Sequence, residues 1–412
     1  MYSRRAFLQT TAGLSFVSLA GGVSPLLARA AELSAGADRN EHVLVVVELA
    51  GGNDGLNTVV PFENSLYYKN RPTLGIAKDQ VVRLSDQLGL HPRMAALGEL
   101  FRDGRVAVVQ GVGYPEPDRS HFRSMEIWHT ASTQKQPPTA GWLGRLLDTA
   151  PGANDTPFAG LSLTSSLPQA LRADKVAVPV VAQLQSIALG TEGASPREAL
   201  VRKLATSFRD PKGSGGAGPV DFMQRQAETV YRAAERLKDA ASRYRSSTDY
   251  PDTPLGGQLR QAAEIINADL GVRVLFASQD GYDTHAEQAD THAELLGQLS
   301  EALSAFDRDL TELKKADRVV LLVFSEFGRR VDENASRGTD HGAASSVFVV
   351  GSPVKGGLLG KYPSLEQLGD GDLIYNTDFR SVYAGLLDWL GCPSREVLRG
   401  EFAKLELLKA QA

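Results

Sequence analysis

Residues 43–49 read VLVVVEL. A short, unbroken run of β-branched and apolar residues suits a strand buried on both faces, since neither side meets water. Residues 106–110, 273–278, 319–325 and 347–350 carry the same kind of run. Helical spacing of apolar residues recurs between them, over 93–103, 119–130, 222–244, 257–268, 285–315 and 377–390. Strands alternating with helices predict an α/β fold, a doubly wound and mostly parallel sheet with helices on both faces. In such a sheet, functional side chains gather where strands end and loops begin.

Four strand ends carry ligand-type residues. After the first run comes AGGNDGLN at 50–57, where glycines allow a tight turn and Asp54 sits at the strand's carboxyl edge. Asp54 reads as a metal-binding carboxylate or as an Asx-turn or helix cap. After the second run, GVGYPEPDRSHF at 111–122 delivers Ser120 to the start of a helix. Ser120 reads as a nucleophile near a cation or as an N-cap, and Arg119 and Arg123 read as clamps for an oxyanion. His121 reads as a ligand, a proton donor or a surface histidine.

After the third run, Asp283 and His285 stand two apart in QDGYDTH, a loop spacing at which O and N donors can share one divalent ion. A turn that merely starts the next helix is the other reading. After the fourth run comes Glu326, costly at the end of an apolar strand unless paired or metal-bound. Asp340 and His341 follow between glycines, just before the last strand. His42, His91, His129 and His292 lie in ordinary polar or helical sequence and read as structural.

Composition narrows the function. With 44 Lys+Arg against 49 Asp+Glu, the chain has a formal charge of −5, which argues against nucleic acid as a partner. A single cysteine, Cys392, excludes an internal disulfide framework and every multi-cysteine metal site. Residues 1–30 carry Arg4, Arg5 and Arg29 with no acid, then small apolar residues, and end in Ala28-Arg29-Ala30. They predict a signal peptide of the twin-arginine type, and hence export to the periplasm or beyond. An uncleaved membrane anchor is the alternative. Gly13, Gly21, Gly22 and Pro25 interrupt the apolar stretch, and no later segment is long and apolar enough to span a membrane. Residues 31–412 then form one domain. A Gly/Ser/Pro loop at 210–219 and a break at 246–257 bracket a helix that reads as an insertion at about 210–257.

Several phrases together resemble one family: GGNDGLNTVVP at 51–61, GVGYPEPDRSHFRSMEIWHTA at 111–131, DGYDTHAEQ at 280–288, SEFGRRVDENASRGTDHG at 325–342 and TDFRSVYAGLLDWLG at 377–391. The chain resembles the exported bacterial family catalogued as domain of unknown function 1501, in the alkaline phosphatase/sulfatase clan. The family itself implies no activity. The clan implies metal-dependent hydrolysis or transfer of phosphate and sulfate esters. On that resemblance, Asp54, Asp283, His285, Glu326 and His341 match clan ligand positions, and Ser120 matches the nucleophile. Phe327 stands where the clan places a second ligand after Glu326, which puts a full second metal site in doubt. In an alternative register Asp340-His341 fills that place and the last histidine is missing. Phe122 stands where a sulfatase's modification motif needs proline.

The resulting expectation is one or two divalent ions among Asp54, Asp283, His285, Glu326, Asp340 and His341, and an anionic ester of a small molecule or glycan as substrate. His121 or Asp340 would protonate the leaving oxygen. Zinc suits the Asp/His mixture, and calcium or manganese suits a site richer in carboxylates. A non-catalytic exported protein of the same fold is the main rival. A metal-free serine hydrolase is disfavoured because the chain lacks a G-x-S-x-G elbow.

Overall fold

A computed structural model of the chain describes residues 42–150, 158–176, 178–181 and 243–409. The export segment, the 210–219 loop and nearly all of the helix expected over 222–244 lie outside the described residues.

The strands of the main sheet are β1 (Val43–Ala50), β2 (Val106–Gly113), β3 (Gly160–Ser162), β4 (Val274–Asp280), β5 (Val319–Phe324), β6 (Ser345–Val350), β7 (Gly357–Leu359) and β8 (Thr377–Asp378). Their spatial order is β7-β2-β6-β5-β1-β4-β3, with β8 paired to the far end of β2. Strand β1 is central, with Val43 opposite Val319 on one side and Leu44 opposite Val274 on the other. All pairings are parallel except those of β6, which runs antiparallel to both β2 and β5.

The alternation of a strand explains its unbroken apolar sequence. Val43, Val45, Val47 and Leu49 enter one buried core, and Leu44 and Val46 enter the other. Strand β5 divides likewise, with Leu321 and Val323 on one side and Leu322 and Phe324 on the other. The first core is closed by α1 (Ala95–Arg102), α4 (Pro254–Asn267) and α5 (Gln288–Glu312). The second is closed by α2 (His121–Thr130), α3 (Trp142–Thr149) and α6 (Phe379–Trp389). This is the doubly wound α/β arrangement that the sequence predicts.

Several helix starts differ from the expected ones. Helix α5 begins at Gln288 rather than at 285, because Glu287 takes a left-handed φ of 43° and the amides of Glu287 and Gln288 bond to the carbonyls of Ser336 and Arg337. The stretch before it is thereby held as a loop. Helix α4 begins three residues earlier than expected, where Thr253 accepts from the amide of Gly256. Parallel β1, β2, β4 and β5 all end at one edge of the sheet. Because β6 is antiparallel, the segment that precedes it lies at that same edge.

Candidate metal centre

Three segments meet at this edge. His121 opens α2, Asp283 and His285 come from the loop after β4, and His341 precedes β6. Ligand atoms of His121, Asp283 and His341 all lie within 4.8 Å of one another. His285 joins them, its Nε2 3.1 Å from Asp283 Oδ1 and 2.9 Å from His341 Nε2. His341 Nε2 is 3.0 Å from the same carboxylate oxygen, and His121 Nε2 is 3.5 Å from Oδ2.

Each ring is held from behind through Nδ1. That of His121 faces Glu326 Oε1 at 2.8 Å, that of His285 faces Asp340 Oδ1 at 3.2 Å, and that of His341 faces the carbonyl of Arg119 at 2.8 Å. All three partners are pure acceptors, so each Nδ1 carries a hydrogen, and in its neutral form each ring turns a lone pair on Nε2 to the common centre. Two such lone pairs 2.9 Å apart, beside a carboxylate, repel unless a cation lies between them. The buried Nε2 of His121 has no hydrogen-bond partner among the described residues. Carboxylates and a carbonyl that orient ligating imidazoles are the usual second layer of a metal site, and three imidazoles with one carboxylate fit a divalent first-row ion.

The hydrogen bond to Glu326 pushes the His121 pKa up, which favours its charged form when no ion is bound. Burial pushes Asp283 up, but Arg329 and His341 outweigh it and hold the carboxyl at about 2. Burial also works against Glu326, which is 1% exposed, yet His121, the amide of Gly51 at 2.9 Å and the Ser325 hydroxyl at 2.9 Å keep it ionised. Glu326 and Asp340 therefore stand behind histidines rather than at the centre.

The structure places Asp54 apart from this group. Its fully buried carboxylate is bracketed by Arg71, Nη1 to Oδ2 at 2.5 Å and Nη2 to Oδ1 at 3.2 Å, and by Gln288 Nε2 at 2.5 Å. The expected oxyanion clamps are also engaged elsewhere. Arg119 pairs with Asp372 at 2.5 Å and with Asp370 at 2.9 Å. Arg123 pairs with Glu126 at 2.5 Å and donates to the carbonyls of Thr133 and Gln134. Ser120 is exposed at the N-cap position of α2, its side chain makes no capping bond, and its amide donates to Asp118 Oδ1 at 2.8 Å. It lies between Arg119, whose carbonyl holds His341, and the cluster residue His121.

Sequence reasoning passed over Arg329. Its buried guanidinium donates to Asp283 Oδ1 at 2.7 Å and to the carbonyls of Gly51, Gly52, Tyr282 and Thr339. It thus ties the loops after β1 and β4 to the turn before β6. The signal was an arginine directly after a buried strand end, in Glu326-Phe327-Gly328-Arg329. Phe327 fills the place between two histidines, its ring 5.0 Å from that of His121 and 4.8 Å from that of His341.

Two cavities border the site. One of about 490 Å3 is lined by His121, Asp283 and Glu326 and opens onto the donors. A larger one, about 730 Å3, reaches Glu326 and Arg119 but none of the four donor residues.

A family model described as "Protein of unknown function (DUF1501)" matches residues 41–402. No curated protein matches the sequence. Among solved structures, a lipoteichoic acid synthase from Listeria monocytogenes is similar at 10% identity and TM-score 0.39, covering 88% of this chain and 75% of that one. A sulfatase from Pseudoalteromonas sp. is similar at 10% identity and TM-score 0.38, covering 97% and 75%. A phosphonate monoester hydrolase from Silicibacter pomeroyi is similar at 9% identity and TM-score 0.35, covering 88% and 78%.

Proposed function

We propose that this chain, which belongs to the DUF1501 family, is a metal-dependent hydrolase of phosphate or sulfate esters working in the cell envelope. One observation carries the reading: His121, His285, His341 and Asp283 converge, each imidazole backed by an acceptor at Nδ1. These four residues would hold the ion. The imidazole-rich donor set favours zinc over calcium. A divalent ion there would supply charge that polarises an ester oxygen and eases ionisation of a nearby hydroxyl.

The remaining roles belong to side chains of the chain itself. Ser120 supplies the uncommitted hydroxyl beside the cluster and serves as the nucleophile. The first amides of α2 lack intrahelical partners and favour an anionic group at that end. Glu326 keeps the proton on Nδ1 of His121, which leaves Nε2 free as a donor atom. Arg329 holds Asp283 in place and keeps it ionised. The residues proposed as acid for the leaving oxygen are His121 and Asp340. Of the two, Asp340 accepts from His285 Nδ1, and the hydrogen bond from Asn334 holds its carboxyl below the usual range, so it orients that ring and His121 is the one left to carry a proton. Twin-arginine export belongs to this reading as well. Among the described residues, no helix is long and apolar enough to cross a membrane.

Elemental analysis of the purified protein tests the metal, and release of phenol from aryl phosphate and aryl sulfate tests the chemistry. The expected result is about one ion per chain, with turnover that Ser120→Ala lowers by at least 100-fold. A metal-free protein as purified that gains no activity with added zinc or manganese would sink the proposal. A second reading, a metal-holding protein without turnover, draws on Phe327, which occupies the space beside His121 and His341 with a ring instead of a further ligand. Bound metal with no turnover of either ester selects it.

A further inference from the structure

Strand β1 contains a residue that packing does not explain. Glu48 follows Leu44 and Val46 on the face that enters the second core, where an apolar side chain is the ordinary occupant. Its carboxylate Oε2 instead meets His129 Nε2 at 2.6 Å, with both side chains largely buried. Such a pair often gives no more stability than apolar residues of the same volume, so stability alone does not account for it. The His129 ring stands edge-on to Phe276 and Phe324 at 5.9 and 6.4 Å, which fixes its plane. With Nε2 committed to the carboxylate, Nδ1 is the ring atom left to meet a ligand, and it has no hydrogen-bond partner among the described residues.

His129 lines the same 490 Å3 cavity as His121 and Asp283, two turns further along α2. Gln169, Met125 and Glu126, the last paired with Arg123, line it too, and Phe122, 91% exposed, stands at its rim. Acceptors and an amide set beside one bare aromatic ring match a ligand with many hydroxyls and a C–H face.

Resting on the hydrolase reading above, we infer that this cavity is the subsite for the alcohol half of the ester, and that this half is a sugar or a similar polyol. His129, held by Glu48, is the specificity-determining residue and hydrogen-bonds to a substrate hydroxyl through Nδ1. Phe122 is the platform for the ring.

Calorimetric titration of zinc-loaded protein, in a Ser120→Ala background so that ligand is not consumed, tests the subsite apart from the chemistry. The ligands are glucose 6-phosphate, glucose 6-sulfate and phenyl phosphate. At least one glucose ester is expected to bind five-fold or more tightly than phenyl phosphate, and which one does so identifies the anion. Phe122→Ala and Glu48→Gln should each weaken that ester about five-fold and change phenyl phosphate less than two-fold. Phe122 is exposed, so its variant keeps the test valid should Glu48→Gln fold poorly. Phenyl phosphate binding as tightly as both sugar esters, or Phe122→Ala weakening all three alike or none, would overturn the inference. If the wild type turns over no ester yet the binding preference holds, the hydrolase reading falls and the subsite stands.

Discussion

Asp54 shows what a single residue's neighbours decide. Burial pushes its carboxyl up, but the charge and hydrogen bonds of Arg71, with His292 and Gln288, outweigh that and bring it to about 2 from an ordinary 3.8. A carboxyl depressed by folding contributes stability that is fully present above about pH 4 and lost as pH falls toward 2. The contribution is about 2 kcal/mol. Asp54→Asn keeps the shape but leaves Arg71 buried without its partner, at a cost of about 3–5 kcal/mol near neutral pH. Urea midpoints of wild type and variant should differ strongly at pH 7 and nearly converge at about pH 2. An equal gap at both pH values would show that the ion pair contributes nothing. The position of Asp54 after a strand was legible, but its purpose was not. A carboxylate turned into a loop's interior and one turned toward a ligand read alike in sequence, and its partner lies 17 residues away.

Elements were legible in proportion to their burial. β1, β2, β4 and β5 stood out because both of their faces are covered. The direction of β6 did not, since a run of apolar residues carries no polarity. That direction is what brings His341 to the edge shared with His121 and Asp283. The turn after β1 was legible in part, as Gly51-Gly52, and the structure supplies the reason for the second glycine. Gly52 has φ +78°, and a Cβ there would lie 2.3 Å from Cε2 of Phe327. The Phe327 ring cannot yield without moving the rings of His121 and His341 that it touches. Gly52→Ala should therefore cost about 1–3 kcal/mol of stability from the backbone alone. It should also weaken zinc binding by ten-fold or more, read by competition with a chromogenic chelator. A variant that loads zinc as tightly as wild type would show that the turn and the cluster are independent.

At the scale of the molecule, the donors come from segments far apart in the chain and tie together the edge between β2 and β4, with β6, β5 and β1 between those strands. Residues 121, 283, 285 and 341 converge only when the sheet is complete, so the unfolded chain offers no comparable site. An ion that binds the native state alone stabilises it by about 4 kcal/mol when free ion exceeds Kd a thousand-fold. Removing it should lower the melting temperature by several degrees, and adding back zinc should restore it. His341→Ala should melt near the chelated wild type and respond little to zinc. This follows from convergence alone and needs no turnover, so it separates a metal centre from a surface cluster of histidines even if no ester is ever cleaved. If chelated and zinc-supplemented wild type melt together, these four side chains hold no ion and the metal reading falls.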